Sequence, residues 1–192
     1  MLEIKTFYLP RLSPEAYRAD AVVHWTLPLF DRATGWLNAS FHALFRELML
    51  HVAARQGLLC PVYCLMPDHL HLVWMGLRPD TDQLHGMAFL RTHLAKSLRP
   101  FRFQKQAHDH VLRADEREQD AFARVCAYVL NNPARGRLAD RPDSWPYSGA
   151  VVAGYPTLHP FQDRFWEIFW KIYWDRRDPE CDRSRRPPPT VG

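Results

Sequence analysis

The stretch PVYCLMPDHLHLVWMG, residues 61–76, constrains the fold more than any other part of the chain. Residues 62–66 and 70–75 are short apolar runs rich in Val, Leu and aromatic side chains, and Pro67-Asp68 between them supplies turn chemistry. Two such runs joined by such a dipeptide predict an antiparallel hairpin. Alternate residues of a strand share a face at about 3.3 Å per residue, so His69 and His71 point the same way with Cα atoms roughly 6–7 Å apart. That spacing lets them hold one ion. Two imidazoles hydrogen-bonded at a sheet surface account for the pair equally well at this point, although neutral imidazole is the commonest nitrogen metal ligand.

The flanking segments alternate strand and helix. AVVHWTLPL, residues 21–29, predicts a strand that Pro28 ends or confines to an edge. Asn38 is placed to cap an amphipathic helix with Phe41, Leu44, Phe45, Leu48 and Val52 on one stripe, running through Gln56 to a stop at Gly57. A second helix is expected over residues 81–99, with Leu84, Met87, Ala88, Leu94 and Leu98 on its buried side and Pro100 as its end. KQAHDHVLR, residues 105–113, predicts a further strand whose alternation sets His108 and His110 on one face. A third helix is expected over residues 116–131, with Ala121, Phe122, Val125 and Val129 inward and Pro133 closing it. RPDSWPYSGAVVAGYP reads as loop. In FQDRFWEIFWKIYW, residues 161–174, aromatic pairs recur every four residues, a stripe suited to packing on the domain or a second copy, or to stacking on nucleobases. This order predicts an α+β fold: an antiparallel sheet with helices packed on one face, leaving the other for a site.

Composition narrows the function classes. With 47% hydrophobic and 13% aromatic residues in 192, the chain is an ordinary domain that buries a core, not a disordered one. No stretch approaches the ~18 uninterrupted apolar residues of a membrane span, and MLEIKTFYLPRL lacks a signal-peptide pattern, so the expectation is a cytoplasmic chain with no membrane partner. In a reducing compartment Cys60, Cys64, Cys126 and Cys181 are expected as buried thiols. A zinc site joining Cys60 and Cys64 to His69 and His71 is the competing arrangement, disfavoured because the two pairs sit on different strands. The net charge of +4 is unevenly spread: residues 91–137 hold ten Lys/Arg against five Asp/Glu. Such a segment is either a solvated face or the contact for a phosphate-bearing partner.

On the third expected helix Arg124, Tyr128 and Asn132 are four residues apart and so share a stripe offset from the apolar one. Two imidazoles, an amide oxygen and a phenol brought together around an ion make a phosphoryl-transfer site, because the ion withdraws charge from a phosphodiester while the phenol attacks phosphorus. YCLMPDHLHLVWMG, QKQAHDHVLR and CAYVLNNPARGRLADRPDSWPYSGA together resemble, in order and spacing, the signature blocks of the single-tyrosine HUH transposases, closest to the REP-associated tyrosine transposase-like branch. HUH denotes His-hydrophobic-His, here His69-Leu70-His71. The likeness spans residues 21–150, whereas MLEIKTFYLPRLSPEAYRAD departs from the Arg-rich, Gly-containing stretch usual at the start of that branch.

The resemblance implies a ferredoxin-like HUH nuclease fold, with a catalytic domain over residues 21–155 between an N-terminal extension, 1–20, and the aromatic helix and Pro/Arg-rich tail, 156–192. It implies Tyr128 as nucleophile and His69, His71 and Asn132 as ligands of a divalent ion, Mg²⁺ or Mn²⁺. The implied reaction nicks single-stranded DNA through a 5′-phosphotyrosine link and rejoins it to a second 3′-OH, at hairpin-forming element ends, by a monomer or homodimer. Backbone contacts are then expected from Arg102, Lys105, Arg113, Arg117, Arg124 and Arg135. Rival readings are a domesticated binder of structured single-stranded DNA that does not cut, and a hydrolytic metallo-phosphoesterase built on His69, His71, His108 and His110.

Overall fold

The structure, a computed structural model, describes residues 12–112 and 120–183. Five antiparallel strands, β1 (Val22–Pro28), β2 (Leu58–Met66), β3 (His69–Gly76), β4 (His108–Leu112) and β5 (Ser148–Val151), form one sheet in the order β4-β1-β3-β2-β5. The helices are α1 (Ala39–Gln56), α2 (Gln83–Ser97), α3 (Ala121–Arg135), α4 (Phe165–Arg176) and the short α5 (Glu180–Arg183). The predicted hairpin is the centre of the sheet, with Pro67-Asp68 as its turn between β2 and β3.

Where the signals are local, expectation and structure coincide. The Asn38 side chain accepts a hydrogen bond from Phe41 N at 2.9 Å, and Gly57 ends α1 in the left-handed region at φ 59°. Pro28 terminates β1 rather than marking an edge, because β1 lies between β4 and β3 and Pro28 is its last paired residue. In α2 the buried stripe is Gln83, Met87, Leu90 and Leu94, continued by Leu98 beyond its end, so Ala88 turns outward.

The sheet carries an apolar layer on both faces. Val23, Trp25, Leu27, Leu70, Leu72 and Trp74 point to one side, where α1 and α2 cover them. The α+β antiparallel sheet is as expected, but the opposite face is also occupied: Val62, Cys64, Met66, Val73 and Met75 pack there against Cys126, Val129 and Leu130 of α3 and Phe165, Phe169 and Tyr173 of α4. Tyr17, from the lead-in, is fully buried in the first layer. Two further sequence expectations need correction. The segment read as loop contains β5, whose four residues pair with β2. Helix α3 continues through Pro133 to Arg135, ending where Gly136 N bonds to Asn132 O at 2.8 Å.

Candidate functional site

The second face of the sheet holds the histidines. Strand alternation sets His69 and His71 of β3 on that face, and the register Thr26↔His71 and His24↔Val73 adds His24 and Thr26 from β1. The rings form a chain. His69 Nδ1 lies 2.6 Å from Asp68 Oδ1, His69 Nε2 lies 2.9 Å from His71 Nε2, and His71 Nδ1 lies 3.1 Å from both His24 Nε2 and Thr26 Oγ1. Asp68 is held in turn by Arg32, with Nε 3.1 Å from Oδ2.

Burial decides the charge of these rings. His71 is 3% exposed. Desolvation, reinforced by His69, His24 and Arg32, pushes its pKa down to about 2. Desolvation and the neighbouring His110 bring His24 down to about 4. Both are therefore neutral near pH 7, the form in which imidazole donates a lone pair to a metal.

Helix α3 brings the phenol over this chain. Its Cys126, Val129 and Leu130 seat the helix on the sheet, and the stripe offset from them carries Tyr128. The Tyr128 ring meets His71 edge-on at 5.6 Å between centroids and His24 at 6.0 Å. Arg135, two turns on, sets its guanidinium 4.8 Å from the Tyr128 ring centre. Tyr128 is 41% exposed, so its ring is reachable from solvent. Asn132 donates its amide N–H to Tyr128 O at 2.8 Å, which leaves its amide oxygen as the free donor atom of that side chain. A cleft of about 430 Å³ joins Asn132 and Arg135 to Met66, Pro67, Asp68 and His69.

The donor set fits a divalent ion. Two nitrogens bound at about 2.1 Å and at a right angle stand about 3 Å apart, close to the 2.9 Å between the His69 and His71 Nε2 atoms. The amide oxygen of Asn132, which shares a cleft with His69, would supply the harder ligand that Mg²⁺ or Mn²⁺ favours. No group of three or more His, Cys, Asp or Glu residues arranged to hold a metal occurs among the described residues. The zinc alternative is not assembled: Cys60 belongs to the first apolar layer and Cys64 to the second, on opposite faces of the sheet. The four-histidine alternative is not assembled either. His108 and His110 share the face with His71, but β1 intervenes, with Thr26 opposite His108 and His24 opposite His110.

The remaining expected residues are dispersed. Arg102 is exposed and stacks its guanidinium 4.0 Å from the Phe30 ring centre, beside the turn that carries Arg32. Lys105 and Arg124 are exposed, while Arg113 and Arg117 lie outside the described residues. In α4 the inner row, Phe165, Phe169 and Tyr173, is buried; the outer row, Trp166, Trp170 and Trp174, lines a cleft of about 770 Å³ with Phe122, Ala123 and Ala127 of α3. His24, Thr26, Asp68 and Arg32 were not expected. The alternation rule that pairs His69 with His71 also pairs His24 with Thr26, but only the β1–β3 register brings the two pairs together.

The five-stranded antiparallel sheet, with the His-Leu-His pair on its central strand and the Tyr128 helix across it, is a fold shared with a known transposase. A solved structure of a REP-associated tyrosine transposase bound to a REP hairpin matches it with a TM-score of 0.62 at 16% identity, covering 74% of this chain and 82% of that one. In sequence, a Haemophilus influenzae protein provisionally named REP-associated tyrosine transposase is 24% identical over 151 residues, 69% of this chain and 83% of its own length. Both likenesses fall on the branch that the signature blocks resemble. No protein-family model matches the chain. Among the described residues no helix is long and apolar enough to cross a membrane.

Proposed function

We propose that this chain nicks and rejoins single-stranded DNA at hairpin-forming sequences, with Tyr128 as nucleophile and His69, His71 and Asn132 as ligands of Mg²⁺ or Mn²⁺. The observation that carries the reading is the placement of the Tyr128 ring 5.6 Å from His71, whose Nε2 faces that of His69 at 2.9 Å. The likeness to a transposase bound to a REP hairpin supports hairpin DNA as the partner.

The chemistry follows from the groups present. The ion, when bound, withdraws charge from the phosphodiester. The phenolic oxygen of Tyr128 gives up its proton and forms a bond to phosphorus as the bond to the 3′ oxygen breaks, and the leaving oxygen takes up a proton, so none is gained or lost overall. One P–O bond replaces another, so attack by a second 3′-OH restores the strand without water or ATP. Arg135 offers a guanidinium at the Tyr128 ring, where negative charge gathers on both the phenolate and the phosphate. The exposed Arg102, Lys105 and Arg124 extend positive charge outward for the backbone of the strand.

The test is a denaturing gel with end-labelled single-stranded hairpin DNA. The wild type is expected to form a slow covalent band that requires Mg²⁺ or Mn²⁺, and Tyr128→Phe to bind the same DNA without forming it. A band from the Phe variant would move the nucleophile elsewhere. Cutting without an adduct would favour hydrolysis by water, and hairpin binding with neither cut nor adduct would favour a non-cutting binder.

A further inference from the structure

We infer that His24 and Thr26 are positioning residues that decide which nitrogen of His71 carries its proton, and so whether His71 presents a lone pair to a divalent ion. The inference rests on the metal reading above and adds a part of the site that lies on a different strand, outside the His-Leu-His motif.

The argument is a count of protons along the chain of rings. Each neutral imidazole has one N–H and one lone pair. The Asp68 carboxylate only accepts, so the nitrogen 2.6 Å from it, His69 Nδ1, is the N–H of that ring. Where that ring is neutral, His69 Nε2 is then a lone pair. Two lone pairs do not face each other at 2.9 Å, so in the metal-free protein His71 Nε2 is an N–H that donates to His69. His71 Nδ1 is in consequence a lone pair. Its partners at 3.1 Å, the Thr26 hydroxyl and His24 Nε2, act as the donors.

Loading an ion reverses this assignment at one ring. For His71 Nε2 to become a ligand its proton moves to Nδ1, and a buried Nδ1–H needs an acceptor. Thr26 Oγ1 accepts as readily as it donates. His24 accepts at Nε2 once its own proton stands on Nδ1. The net change is one tautomer shift in His71 and at most one in His24, with no charge created inside a site that is otherwise desolvated. An apolar pair at positions 24 and 26 would leave the Nδ1–H of His71 buried and unpaired and would favour the tautomer that blocks the metal. Outer hydrogen-bond partners of ligating histidines typically account for about 10- to 100-fold in metal affinity.

The experiment measures Mn²⁺ binding to the full chain by calorimetry, and the ring nitrogens by ¹H–¹⁵N spectra with and without diamagnetic Mg²⁺. The double variant His24→Phe/Thr26→Val is expected to bind Mn²⁺ about 10- to 100-fold more weakly. His24→Gln/Thr26→Ser, which keeps a donor-acceptor group at each position, is expected to recover most of that loss. In the wild type the His71 proton should move from Nε2 to Nδ1 on Mg²⁺ loading, and in the double variant it should stay on Nε2 at the same Mg²⁺ concentration. A purely structural role would not produce rescue by the Gln/Ser pair. Equal Mn²⁺ affinity in wild type and double variant overturns the inference and leaves the metal reading standing. A wild type that binds no Mn²⁺ overturns both. A double variant that unfolds is replaced by Thr26→Val alone, for which unchanged affinity together with an unchanged His71 tautomer shift counts against the role of Thr26.

Discussion

Lowering the pH from 7 to 5 in the presence of a chelator should destabilise this protein through two specific rings. The ordinary imidazole pKa is near 6.5, whereas burial holds His24 at about 4 and His71 at about 2. The folded state therefore keeps both rings neutral at pH 5 while the unfolded chain protonates them. Stability from these rings is fully present above pH 6.5 and is lost as the pH falls from there toward the folded values. At about 1.4 kcal/mol per pKa unit, each ring costs about 2 kcal/mol at pH 5, and the two together about 4 kcal/mol. That is a large share of the roughly 5–15 kcal/mol that stabilises a domain. Urea unfolding at pH 7 and pH 5 measures it. His24→Gln/His71→Gln, which has no proton to gain at these positions, should lose about 4 kcal/mol less than the wild type over the same interval. Equal losses in the two proteins would show that burial does not hold these rings neutral and would refute the reasoning.

His69→Ala and His71→Ala should each abolish cation-dependent cleavage with unchanged far-UV circular dichroism, while His108→Ala leaves cleavage largely intact; full activity in His71→Ala would end the metal reading. Replacing Arg102 and Arg135 together by Ala should flatten the salt dependence of single-stranded DNA binding by about 1.4 in log–log slope, at about 0.7 per phosphate contact, and an unchanged slope would put the backbone contacts elsewhere. Gly76→Ala should destabilise the fold by about 3 kcal/mol or more, because its Cβ would stand 1.7 Å from the carbonyl oxygen of Ala19. A thermal midpoint equal to the wild type would show that the backbone turn at Ala19 yields without cost.

Features set by neighbours in the chain were legible in the sequence. The hairpin at Pro67-Asp68 follows from two short apolar runs around a turn dipeptide, and α1 runs from the Asn38 cap to the left-handed Gly57 because both end signals are local. The shared face of His69 and His71, and the alignment of Tyr128 with Asn132, are consequences of strand and helix periods alone. Strand β5 stayed hidden because Ser148–Val151 is short and has small residues, and takes its extended form by pairing with β2. Helix α3 runs past Pro133 because packing of Val129 and Leu130 on the sheet, with Pro133 itself buried, outweighs the lost backbone bond. The full histidine chain was out of reach for the same kind of reason. His24 and His71 are 47 residues apart, and nothing along the chain encodes that β1 pairs with β3 in the register that sets their nitrogens 3.1 Å apart. Local periodicity determines which side chains share a face; only the non-local strand pairing and the seating of α3 decide which faces meet, and with them the desolvation that keeps the rings neutral and in reach of Tyr128.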